Sequence, residues 1–199
     1  VKMSETTNSL PKEDCEPETR YTLYVLPVDG DVHGAIASAS GTTKAATGLY
    51  AKYIKGEDLV IGGVTVNKTT FPEAYYISNA LSIQQIGTTG VYFVEPDATN
   101  VEISSVIQNV IVVSNGVSRA PVRRSTQLAI KATEGVEDSF IMSNINFSTG
   151  LTTGNMLGVN GDKDKTYVFE NIYFENCGFE VPKDMNFMYS TYNIGSFGM

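Results

Sequence analysis

The chain has 199 residues, 42% hydrophobic and 18% charged, which allows a sizeable core and excludes a disordered or highly solvated helical chain. A net charge of −8 and a pI near 4.6 would repel a phosphate backbone over most of the surface, which argues against nucleic acid as a partner. No run approaches the ~18 consecutive apolar residues of a membrane-crossing helix, and one His with two Cys leaves the usual zinc ligands missing.

The sequence opens at Val1 with no basic stretch ahead of an apolar one, which reads as a mature or trimmed form. Cys15 and Cys177 lie near opposite ends and either form a disulfide or each fill an apolar slot. Pro17 and Thr19 make a corner, after which Thr22-Leu23-Tyr24-Val25-Leu26 alternates as a strand. On that alternation Tyr21, Leu23, Val25 and Pro27 share a buried face, and the Tyr21 hydroxyl folds back to the backbone. Asp29-Gly30-Asp31 forms a turn, and a further strand follows between Gly34 and Thr43. His33 falls beside Gly34 in a turn, so a Ser-His-Asp or Cys-His device would depend on this one residue.

Beyond residue 45 the signals are again of period two. Val91-Tyr92-Phe93-Val94 and Val110-Ile111-Val112-Val113 are short β-branched or aromatic runs bounded by Gly, Asn, Asp or Pro. Residues Tyr75 to Ile86 fit a short helix or turn better than any other segment. A short pattern of Asn, β-branched, any, apolar, polar also recurs. It reads Asn109-Val110-Ile111-Val112-Val113, Asn144-Ile145-Asn146-Phe147-Ser148 and Asn171-Ile172-Tyr173-Phe174-Glu175, with a looser copy at Gly63-Val64-Thr65-Val66-Asn67. The asparagines at 109, 144 and 171 are 35 and 27 residues apart, and spacings of that order are the turn lengths of a solenoid. Val110, Ile145 and Ile172 would stack in its interior, as would Val112, Phe147 and Phe174. Ile111, Asn146 and Tyr173 would then line an exposed outer face, and the asparagines would bond along the stack.

These copies resemble the pectin-lyase-like superfamily. The resemblance implies an all-β chain, with a right-handed parallel β-helix of about five coils over residues 46–199. Residues 1–45, with Pro-x-Thr-x-Tyr, an Asp/Gly turn and a strand ending in Thr-Thr, resemble the closing strands of a fibronectin type III module. That family has more strands than this segment can supply, and Cys15 stands where it usually carries Leu. The combination is similar to secreted or lipid-anchored glycan-utilisation proteins of the Bacteroidetes type. It implies an extracellular or cell-surface protein that recognises polysaccharide. The alternatives are a structural or adhesive subunit (filament, capsid or tail component), self-associating through an open β-helix end at Met199, and a polysaccharide lyase or glycoside hydrolase acting on acidic glycans.

Candidate ligand residues follow from chemistry. Arg119, Arg123 and Arg124, with Lys131 further on, are the only basic cluster; they are either a solvated loop paired with Glu134, Glu137 or Asp138, or an overhanging contact for a uronate. Tyr173 leads a set of tyrosines (50, 53, 75, 76 and 189) whose faces could stack on sugar rings. Asp162 and Asp164 flank Lys163 in a Gly-started stretch that reads as an ordinary turn or, as the resemblance to the superfamily's lyases implies, as a Ca²⁺ site with a base beside it. No cofactor is otherwise expected. The superfamily's paired-Asp hydrolase motif is missing, so no catalytic residue is assigned.

Overall fold

The computed structural model describes residues 18–131, 138–160, 169–190 and 197–198. Two compact units divide the chain, Val1–Ala46 and Thr47–Met199.

In the first unit β1 (Arg20–Val25) pairs antiparallel with β4 (Ala37–Thr42), in unbroken register from Arg20 opposite Thr42 to Val25 opposite Ala37. Between them β2 (Val28–Asp29) and β3 (Val32–His33) form a tight hairpin. Gly30 takes its first turn position at φ 59°, where a residue with a Cβ would be strained. The expected alternation holds only in part. Tyr21 and Leu23 are half-buried, whereas Val25 and Pro27 are exposed, as is His33. Cys15 lies outside the described residues, and Cys177, which has no disulfide partner among the described residues, directs its thiol at the Met142 carbonyl (3.3 Å).

The second unit opens with α1 (Gly48–Ile54) and an antiparallel hairpin, β5 (Leu59–Ile61) with β6 (Val64–Val66). Gly62 and Gly63 turn that hairpin at φ 56° and 80°, the two positive values that a type I′ turn needs. The stretch from Gly63 to Asn67 is therefore a hairpin strand and not a fourth copy of the repeat. Next come β7 (Ala74–Ile77) and β8 (Gln84–Ile86), where a short helix or turn was the sequence expectation. Four triplets follow: β9 (Gly90–Val94), β10 (Val101–Ile103) and β11 (Val106–Ile107); β12 (Val110–Ser114), β13 (Ala120–Arg124) and β14 (Leu128–Lys131); β15 (Asp138–Ser143), β16 (Ile145–Thr149) and β17 (Thr153–Asn160); β18 (Phe169–Glu175), β19 (Gly178–Glu180) and β20 (Asp184–Ser190). The last described strand is β21 (Phe197–Gly198).

Each triplet contributes one strand to each of three parallel sheets. Sheet 1 runs β7-β9-β12-β15-β18-β21, sheet 2 runs β8-β10-β13-β16-β19, and sheet 3 runs β11-β14-β17-β20. The described residues are thus all-β apart from one short helix, with parallel sheets visited in rotation, an arrangement compatible with a β-helix. Inward side chains from all three sheets meet in one core. Val110, Phe140 and Ile172 align across sheet 1, Val112, Met142 and Phe174 beside them, and Val122, Phe147 and Phe179 across sheet 2.

The six residues expected in one stack are all buried in this core, but on two sheets. Ile145 and Phe147 belong to sheet 2, the other four to sheet 1. The reason is a corner only one residue long. Asn144 turns the chain between β15 and β16 at φ 60°, so two strands read as one run. Asn100 (φ 56°) and Asn176 (φ 49°) turn the corresponding corner two turns before and one turn after. Asparagine tolerates this left-handed conformation better than other residues with a Cβ, and its amide caps the neighbouring turn. Asn176 Nδ2 donates to Asn144 Oδ1 (2.8 Å), and Asn144 Nδ2 reaches the carbonyls of Gly116, Val117 and Ser118.

The outer face of sheet 1 is also covered, contrary to the expected exposed row. Val91, Ile111 and Ile141 align there and are fully buried. Together with Phe93 and Val113 they form a second core with Tyr53 of α1 and with Leu59, Ile61 and Val66 of the hairpin. A parallel sheet buried on both faces reads as a continuous apolar run, which is why Val110-Ile111-Val112-Val113 has no polar alternate.

Candidate functional site

While sheet 1 is covered on both faces, the outer face of sheet 2 is an open polar surface. Its strands alternate cleanly: Ala120 and Val122 point inward and Pro121 and Arg123 outward, while on β16 Ile145 and Phe147 are buried and Asn146 is exposed. Parallel register aligns the outward residues into rows across the strands. One row is Gln85, Glu102, Arg123, Ser148 and Glu180; beside it run Pro121, Asn146 and Gly178. Neighbouring members of a row are one strand spacing apart, about 4.8 Å.

The arginines lie on or beside β13, so the expected overhanging loop is a strand with the corner before it. Arg123 forms an ion pair with Glu102 (2.9 Å) from the preceding turn, while Glu134, Glu137 and the Asp138 side chain lie outside what is described. Its side chain is 53% exposed, so the pair contributes at most about 1 kcal/mol. Arg124 folds back, donating from Nη1 to the Ile103 carbonyl (3.0 Å) and from Nε to Thr126 (2.9 Å). Arg119 donates from Nη2 to Asn176 Oδ1 (2.9 Å) in a later turn. Lys131 is exposed at the end of β14 in sheet 3.

Tyr173 is not brought to the arginines. It lies on the outer side of sheet 1, half-buried in the second core beside Gly62, where a Cβ would come within 2.8 Å of its ring. Tyr50 stacks on Tyr76 (5.0 Å between ring centres) and Tyr75 on Tyr92 (4.9 Å). Burial, and then the hydrogen bond to Glu95, push the Tyr76 hydroxyl well above the usual tyrosine range. Tyr53 is buried under Phe71, to whose carbonyl it donates (2.7 Å), and Tyr189 on β20 is exposed. Asp162 and Asp164 lie outside the described residues, and among the described ones no three His, Cys, Asp or Glu side chains gather as a metal site.

Glu102, Asn176 and Gly178 belong to this surface and were not singled out by sequence, whereas Asn146 was expected on an exposed outer face and is exposed. The signal was present in the register: Asn144 and Asn176, Asn146 and Gly178, and Ser148 and Glu180 are equivalent positions of successive turns. No helix among the described residues is long and apolar enough to cross a membrane. No protein-family model, curated protein or solved structure matches the chain.

Proposed function

We propose that the chain is an extracellular or cell-surface polysaccharide-recognition protein, built on a right-handed parallel β-helix of the pectin-lyase type and docking glycan on the outer face of sheet 2. The observation that supports this reading is the outward row Gln85–Glu102–Arg123–Ser148–Glu180, one polar side chain per turn on a parallel sheet. Its ~4.8 Å repeat is close to the length of a pyranose unit, so an extended polymer could meet equivalent groups turn after turn. For residues 1–45 the proposal remains the closing strands of a fibronectin type III-like module, on the strength of Pro-x-Thr-x-Tyr and the antiparallel β1–β4 ladder. A panel of acidic and neutral polysaccharides on the intact chain tests the main reading. Saturable binding is expected, and Arg123→Glu, which sets a like charge beside Glu102, should abolish binding of acidic members at a stability cost of about 1 kcal/mol or less. Binding of no member of the panel would end the proposal. The same panel, assayed for cleavage with and without Ca²⁺, decides the lyase and hydrolase versions, in which Asp162 and Asp164 hold the ion.

A second reading, a self-associating structural subunit, is favoured by a different feature. Met199, the end expected to associate, lies outside the described residues; at the opposite end the strands β7, β8 and β11 lie near exposed Tyr75, Tyr76, Leu81, Ile83 and Val106. Apolar side chains beside free strand edges invite pairing. Light scattering across a concentration series should then show a mass that rises with concentration and falls for Leu81→Lys; a constant monomer mass would exclude it.

A further inference from the structure

We infer that the Asn115-Gly116 bond is a modification site: deamidation of Asn115, gated by α1, turns the fastening of the helix into a one-way release. This is independent of the glycan reading above and needs no reactant but water.

Asparagine is chemically labile, and most so before glycine, where no side chain hinders the following nitrogen. The Gly116 nitrogen attacks the side-chain carbonyl carbon of Asn115, a C–N bond forms, and the amide nitrogen leaves as ammonia. Water then opens the cyclic imide to aspartate or isoaspartate. One water enters, one ammonia departs, and nothing is oxidised or reduced. The fold itself calls for both residues of the pair. Asn115 serves as an amide: its Oδ1 accepts from the Tyr50 N–H (2.6 Å), and its Nδ2 donates to the Thr47 carbonyl (2.9 Å) and to Glu95 (2.7 Å). Residue 116 must be small, because a Cβ there would lie 2.8 Å from the Pro96 ring. Gly116 has no positive φ, so clearance is what the glycine supplies.

Docked α1 blocks the reaction. For its carbonyl carbon to meet the Gly116 nitrogen, the Asn115 amide must rotate and give up all three of these bonds. Asn115 is 2% exposed, so water is not at hand to replace them. The Gly116 N–H is itself engaged, donating to Ser114 Oγ (3.3 Å). Once the helix lifts, Thr47 and Tyr50 leave with it and the amide is free to turn. Conversion then prevents return. Aspartate lacks the donor to Thr47 and sets a carboxylate oxygen where an N–H met Glu95, so two like charges face each other. Glu95 also accepts from the Tyr76 hydroxyl (2.7 Å), which holds it in place. Isoaspartate adds a methylene to the main chain and displaces the Asn115 carbonyl from the Leu49 N–H. Either product leaves Val91, Phe93, Ile111 and Val113 without their cover, so a converted copy displays an apolar sheet face that a fresh copy hides.

The test incubates the intact chain in warm, mildly alkaline buffer, native and in urea, and follows amide-to-acid conversion by peptide mapping and mass spectrometry. Asn160-Gly161, the other Asn-Gly bond of the sequence, serves as an internal reference. Asn115 in the native parent should convert roughly tenfold or more slowly than in urea, as expected where reaction waits on an opening that costs more than about 1.4 kcal/mol. Gly48→Ala, which strains the start of α1, should speed native conversion at Asn115 severalfold and leave Asn160 at the parent rate. Asn115→Asp, which installs one product directly, should bind a hydrophobic dye and show fast hydrogen exchange in α1. Equal rates at Asn115 in native and denatured parent would overturn the gating. So would a folded Gly48→Ala that converts no faster, or one in which Asn160 accelerates equally. Parent-like dye binding and α1 exchange in Asn115→Asp would overturn the release. The urea comparison and Asn115→Asp both stand whether or not Gly48→Ala folds.

Discussion

Phe147→Ala should lower the unfolding free energy by about 3–5 kcal/mol, the cost of emptying a fully buried phenylalanine site. Phe147 is 1% exposed and points from β16 into the shared core, between Val122 and Phe179 in the sheet 2 ladder. Its neighbours on either side are fixed by parallel pairing, so the cavity can collapse only if two strands shift together. Phe147→Leu, which keeps most of the volume, should lose less than half as much. Phe179→Ala, at a half-buried position on the end strand of sheet 2, should also lose less. Chemical denaturation reads all three. A loss near 1 kcal/mol for Phe147→Ala would mean that the three sheets do not close on one interior.

The strands were legible because their chemistry is local. Leu23, Val91 and Val110 begin or sit within runs whose β-branched and aromatic content favours extended chain, and each lies in a strand. What the runs do not encode is which sheet they join. Ser139-Phe140-Ile141-Met142-Ser143 and Ile145-Asn146-Phe147-Ser148 are separated only by Asn144, and a corner of one residue leaves no gap for a repeat search to find. The helix was missed for a related reason: Gly48–Ile54 is seven residues, too short for a helical period to show. The arginines were grouped by sequence proximity, but their partners, Glu102 and Asn176, come from other turns. Only the register reveals that Arg123 is already paired and that Arg119 is framed by neutral amides.

Gly48→Ala should detach α1 from sheet 1 and cost about 2–4 kcal/mol, combining left-handed strain with a clash against main chain. Gly48 sits at φ 64°, and a Cβ there would lie 1.9 Å from the Asn115 carbonyl oxygen, an atom fixed at the end of β12. The close approach exists because Asn115 starts the helix. Thr47 makes no side-chain cap bond. Instead the Asn115 backbone oxygen accepts from the Leu49 N–H (3.2 Å), its Oδ1 accepts from the Tyr50 N–H (2.6 Å), and its Nδ2 donates to the Thr47 carbonyl (2.9 Å) and to Glu95 (2.7 Å). Asn115 is 2% exposed, so Asn115→Ala leaves buried groups unpaired and should cost about 1–3 kcal/mol by itself. Both substitutions cut the same fastening, so the double variant should lose clearly less than the sum of the two. Released α1 would uncover Val91, Phe93, Ile111 and Val113, and a hydrophobic dye should bind each variant before global unfolding. Hydrogen exchange then separates the possibilities: fast exchange confined to α1 and the β5–β6 hairpin is expected, while parent-like protection of α1 in Gly48→Ala would show that the helix is held by its apolar face alone.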